Sequence, residues 1–216
     1  MLKVNVNSEL IKKFSEVIHG ILTMIGKGEY EKALELIDGA FKDFFRLGSK
    51  FFNALTEENL LDMARTNNIM DVDKCIIMAK LLLEEARVYD RLYGKSESFC
   101  LYKKSLYLYA EAYEYVEEDT ELYKYFADMD SLISEIERYK LEPELQKQLI
   151  RYFLKKGAYD KADNVLYELL EAREFTEGSK EYASEIYKAL LSRTDAELEK
   201  GNMTREEITE SLETLG

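Results

Sequence analysis

Gly28-Glu29-Tyr30-Glu31-Lys32-Ala33 and Gly157-Ala158-Tyr159-Asp160-Lys161-Ala162 share one pattern: a glycine, an aromatic two residues on, an acid, a lysine and a small residue. A glycine ends one helix without steric cost, and the aromatic packs across the turn. The small residue then lets two helix backbones approach. Upstream of the first copy, Leu10, Phe14, Val17, Ile21 and Ile25 recur at helical spacing, widened by Ile18 and Leu22. Downstream, Tyr30, Leu34, Ile37, Phe41 and Phe45 form a second stripe, ended by Gly48-Ser49. Each copy is therefore the bend of a helical hairpin.

The rest of the chain follows the same period. Thr56 is an N-cap candidate for a short helix. Asp71 or Asp73 caps a long helix closing at Gly94, and Ser96 or Ser98 opens a tyrosine-rich helix reaching Val116. The acidic run 117–121 leads into another helix ending near Arg138. Pro143 fits a first helical turn, where its missing N–H costs nothing. Its helix ends at Gly157, and a partner runs to about Ala172. Helices follow from Gly178 to Leu191 and on either side of Gly201-Asn202, the last with a Thr204/Glu207 capping box. No stretch reads as a strand. The expected fold is all-α, with about eight or nine helices.

Three hairpins, near residues 8–47, 71–117 and 143–172, resemble tetratricopeptide repeats, with a helical cap over 178–216 closing a single domain over 1–216. The middle copy is degraded, with Ala86 and Tyr89 in its first helix and Tyr102 and Ser105 in its second. Ala33, Ser98 and Ala162 are spaced by nearly double the ~34-residue repeat period, so extra helices lie between the units. The resemblance implies a right-handed superhelix of antiparallel hairpins. Over nearly its whole length the chain also resembles an uncharacterised bacterial family, mainly from Firmicutes, known only as a domain of unknown function. That likeness rests on Gly28 to Ala33, Leu55-Thr56-Glu57-Glu58-Asn59-Leu60-Leu61, Gly157 to Leu170, and the tail Asp195 to Gly201 with Arg205-Glu206-Glu207-Ile208. It implies a tetratricopeptide-like fold and brings no functional residue with it.

Composition removes several functions. The 216 residues contain one proline, one histidine (His19), two cysteines and sixteen tyrosines. A single histidine excludes most zinc sites and a di-iron bundle. A formal charge of −13 argues against nucleic-acid partners. No apolar run reaches the ~18 residues of a membrane span; even Cys75 to Leu83 carries Lys80. The start lacks the apolar core of a signal peptide, and Cys75 and Cys100 read as reduced, buried thiols, so the expected location is cytoplasmic. No phosphate loop, nucleophile elbow or zinc-protease motif is present, and Asp71-Val72-Asp73 lacks the rest of a calcium loop. No catalytic residue, metal or cofactor is expected.

Tyr102, Leu106, Tyr109 and Tyr113 share one helix face and Leu101, Leu108, Ala112 and Tyr115 its neighbour, as in a central helix packed on two sides. Only Tyr107, among Lys103, Lys104 and Glu111, reads as an exposed aromatic. In tetratricopeptide hairpins the first helix lines the concave groove. That alignment puts Arg87 and Arg91 of the middle unit, and Lys147, Arg151 and Lys155 of the third, on the groove face. The leading expectation is a non-enzymatic scaffold whose basic groove takes a protein, an acidic peptide or an anionic metabolite. The competing account has Glu84, Glu144 or the acidic turn neutralising these side chains internally. Two further readings are a homodimer joined through the apolar face of the first hairpin (Ile18, Leu22, Ile25), and a small-molecule sensor.

Overall fold

The apolar stripe that opens the chain becomes α1 (Leu2–Gly26) in a computed structural model that describes residues 2–67, 69–117, 120–171 and 178–215. Its buried face is centred on Ile11, Phe14, Ile18 and Ile21, while Leu10 and Leu22 are 39% and 43% exposed. The stripe is thus rotated slightly from the one the spacing suggests. The described residues fall into two units, Met1–Tyr139 and Lys140–Gly216.

In the first unit α1 packs on α2 (Tyr30–Phe45), which buries Ala33, Ile37, Ala40 and Phe41. Short helices α3 (Ser49–Ala54) and α4 (Glu57–Met63) follow. Phe52 of α3 stacks on Phe41 at 4.6 Å, and Thr56 caps α4 by accepting from the Asn59 amide. A two-residue strand β1 (Arg65–Thr66) pairs antiparallel with β2 (Ile69–Met70). This hairpin departs from the expectation of no strand, because two-residue strands are too short to show alternation.

The centre of the unit is α5 (Val72–Tyr93) packed along α6 (Lys95–Tyr115). Asp71 caps α5 by accepting from the Lys74 amide. The α6 helix begins after Gly94 rather than at Ser96 or Ser98; Gly94, at φ 90°, both ends α5 and caps α6. Small polar side chains sew the pair together. The Ser105 hydroxyl donates to the Ala79 carbonyl at 2.8 Å, and the Cys75 thiol to the Leu108 carbonyl at 3.3 Å. After α6, a 3₁₀ helix (Glu121–Asp128) continues into α7 (Met129–Ile136). Glu118 and Asp119 of the acidic turn lie outside the described residues.

In the second unit α8 (Pro143–Lys156) packs on α9 (Tyr159–Glu171), with Pro143 in its first turn. The turn repeats the one between α1 and α2 bond for bond. Glu29 N–H reaches the Met24 carbonyl at 2.9 Å and Gly28 N–H the Ile25 carbonyl at 3.0 Å. Ala158 N–H reaches Phe153 at 2.9 Å and Gly157 N–H reaches Leu154 at 3.2 Å. Both are Schellman caps, with Gly28 and Gly157 at φ 74° and 75°.

Then come α10 (Ser179–Leu191), α11 (Asp195–Lys200) and α12 (Arg205–Thr214). Capping boxes start α11 at Thr194/Glu197 and α12 at Thr204/Glu207. Arg205 donates to the Leu191 and Arg193 carbonyls and to Asp195, which satisfies the end of α10. Gly201 is buried against the α8–α9 turn, its carbonyl accepting from the Asp160 amide at 3.1 Å. Twelve α-helices are present among the described residues, more than the eight or nine expected. Most of the excess is short: α4, α11 and α12 fall where short helices were read, and α3 (Ser49–Ala54) is the one with no counterpart in the sequence reading.

Candidate functional site

Arg87 of α5, 31% exposed at its side chain, points into a four-membered ion network. Its Nη1 donates to Glu84 Oε1 at 2.6 Å and its Nη2 to Asp128 Oδ1 at 2.8 Å. Lys80 Nζ lies 2.6 Å from both Glu84 Oε1 and Asp128 Oδ2, and 5.6 Å from the centre of the Tyr125 ring. Positions 80, 84 and 87 stand at i, i+4 and i+7, so one face of α5 carries all three. The 3₁₀ helix supplies Asp128. Two cations and two carboxylates cancel inside the unit, where an unpaired charge would be costly.

Burial acts to raise the Asp128 carboxyl, but Lys80 and Arg87 more than offset it and hold the group below its ordinary value. Burial likewise opposes the Arg87 charge, and Glu84 and Asp128 overcome it. Tyr109, fully buried beside this cluster, has its hydroxyl pushed well up by desolvation and then by Asp128 and Glu84. Burial pushes Tyr102 up to about 12.

The other predicted basic residues lie elsewhere. Arg91 is exposed in the last turn of α5 and makes no ion pair among the described residues. In the second unit, Arg151 and Lys155 are exposed on α8, and Lys147 pairs with Glu144 at 2.8 Å. Glu84 and Glu144 thus do neutralise neighbours, as the competing account held. Arg87 and Arg91 share the end of α5, and Lys147, Arg151 and Lys155 share α8.

A feature that the sequence reading missed lies in the second unit. An open groove of about 530 Å³ is lined by Asp160 and Asp163 of α9 and Glu207 and Glu210 of α12, with Tyr167 and Met203 among its apolar walls. Tyr187 donates to Asp163 at 2.7 Å, and its hydroxyl is pushed far up by burial and by that bond. The matching i, i+3 spacing of the two acid pairs was the available signal. Tyr167 is 60% exposed, as are Tyr93 (60%) and Tyr115 (56%), whereas Tyr107 is only half-buried. Tyr93 and Tyr115 end α5 and α6, and Tyr167 lies within α9, so the most exposed tyrosines among the described residues do not include Tyr107. Cys75 is buried, but Cys100 is exposed, because it falls on the outer face of α6. Asp71 is engaged as a helix cap and pairs with Lys74.

The model of a family of unknown function, DUF6483, matches residues 1–216. The chain belongs to DUF6483. The likeness read from its turns and tail therefore holds at the level of an uncharacterised family. No curated protein and no solved structure matches this DUF6483 chain. Among its described residues, no helix is long and apolar enough to cross a membrane.

Proposed function

We propose that this DUF6483 protein is a non-enzymatic, tetratricopeptide-like scaffold of the bacterial cytoplasm that binds a partner protein or acidic peptide. The carrying observation is the Schellman turn made twice with the same bonds, at Gly28 and Gly157, which builds like hairpins from like sequence. Repeated hairpins of this kind serve as surfaces for other chains. The perturbed ionisable groups of the first unit also favour binding over catalysis. Asp128 and Arg87 are spent on each other and on their neighbours, and Tyr109 is sealed in the core.

Within this reading the partner surface includes the basic ridge of α8, where Arg151 and Lys155 are exposed beside Lys147. A guanidinium there suits bidentate contact with carboxylates. Arg87 is assigned a structural part instead, and Arg91 remains a candidate at the end of α5. The test compares capture of partners by the wild type and by Arg151→Glu with Lys155→Glu, alongside binding of a fluorescent oligoglutamate peptide. Loss of both signals in a variant that melts like the wild type supports the ridge. Equal binding by both proteins rejects it.

A second reading has one observation in its favour. Leu10, Leu22 and Leu36 of the first hairpin are each about two-fifths exposed, at 39%, 43% and 41%. These would suit a homodimer, which sedimentation velocity at low micromolar concentration would reveal.

A further inference from the structure

Glu85 of α5 sits beside the ion network but does not join it. It is 2% exposed, and its Oε1 accepts from Asn53 Nδ2 of α3 at 2.8 Å. The two remaining oxygens of this pair, Glu85 Oε2 and Asn53 Oδ1, are both buried and both without a hydrogen-bond partner. Written as a carboxylate and an amide, the pair holds two acceptors and no donor for them. A single proton on Oε2 supplies that donor. We propose that Glu85 is held as the neutral acid, its Oε2–H donated to Asn53 Oδ1, and that this cyclic two-bond pair is a pH-sensitive latch fastening α3 to α5.

The surroundings favour the neutral form. Burial acts most strongly to raise the Glu85 carboxyl; the Asn53 and Ser49 side chains and Lys104 pull against it, and Asp38 of α2 adds to it. Lys104 of α6 is the cation that could pair with an ionised Glu85. Its Nζ is instead committed to the Asn53 backbone carbonyl at 2.6 Å, and burial depresses its own charge. On the same helix, Tyr89 is raised by burial and then by Glu85, which keeps its phenol neutral, and a phenol supplies no cation to an ionised Glu85. Asp128, facing the neighbouring Glu84, is occupied by Lys80 and Arg87.

The sign follows from the raised carboxyl. Its stabilising contribution is fully present below the ordinary glutamate value of 4.5, and is lost as pH rises through the folded value. Ionisation sends the proton to solvent and leaves two facing acceptors, which releases α3. Hydrogen exchange of the α3 amides and thermal melting, for wild type and Glu85→Gln across pH 4 to 8, test this. The glutamine reproduces the acid's donor and acceptor and cannot ionise.

Matching melting and exchange at pH 4 are expected. With rising pH the wild type falls below the variant in Tm, and its α3 amides exchange faster by about tenfold for each pH unit separating the folded and unfolded values. Parallel melting curves at all pH values overturn the proposal, as does equal α3 exchange at pH 8. An independent reading comes from the side-chain carboxyl ¹³C resonances of the wild type. One glutamate titrating clearly above the rest, and absent from Glu85→Gln, supports it; if all titrate at the ordinary value, it is refuted.

Discussion

Glu84→Gln removes one negative charge from a cluster in which two cations face two carboxylates, and leaves it with a net charge of +1. Glu84 has no exposure at its side chain and accepts from both Lys80 and Arg87 at 2.6 Å. Taking one partner from a buried pair costs about 3–5 kcal/mol, and the retained amide oxygen sets the expectation at about 3. Lys80→Met, which keeps the apolar stem but inverts the imbalance to −1, should cost about the same. The double variant restores neutrality through Arg87 and Asp128, 2.8 Å apart. It should cost about 3 kcal/mol rather than the roughly 6 of independent sites. At ~2–4 °C per kcal/mol, each single variant should lower the melting temperature by roughly 6–12 °C at pH 7, and the double by no more. Calorimetry on the four proteins of the cycle reads this directly. Additive losses, or singles below about 1 kcal/mol, would falsify the view that these charges answer to one another.

The same network sets an acid limit. Asp128, held below its ordinary value, contributes stability that is present above the unfolded value and lost as pH falls through the folded one, so Asp128→Asn should flatten the acid limb of a pH–melting curve. Gly201→Ala should destabilise by roughly 1–3 kcal/mol, since its methyl would strike the Tyr159 ring and come within 2.8 Å of the Gly157 carbonyl; urea unfolding measures this. Gly39→Ala, where a methyl meets nothing within 4 Å inside α2, should instead stabilise by about 0.5–1 kcal/mol in the same assay. A thiol reagent should label Cys100 rapidly and leave Cys75, whose thiol burial pushes far up, until the chain unfolds.

What the sequence shows and hides divides by range. Local chemistry was legible: Thr56, Asp71, Pro143, Gly157 and Thr204 all mark the helix ends expected of them, because capping and φ preference act within a turn. The pairing of Lys147 with Glu144 lies within three residues and was equally readable. Asp128 was not, since it meets Arg87 across 41 residues and no local pattern announces it. Nor was the burial of Glu85, which rests on α3 packing where the periodicity had faded. The groove between α9 and α12 was hidden for the same reason: its acid pairs are ordinary solvated faces until the tail folds back.

That fold-back also orders events during synthesis. Asn202 reaches Asp160 across 42 residues, and Gly201 covers the Tyr159 ring. At ~5–20 residues per second, a ribosome delivers this cover roughly 2–8 s after the turn itself. For that interval the newborn α8–α9 hairpin keeps its bend by its Schellman bonds and the packing of its own two helices, without the tail's cover. A left-handed glycine at 157 therefore matters most before the protein is finished, and an alanine there should show first as lost yield and only second as lost stability.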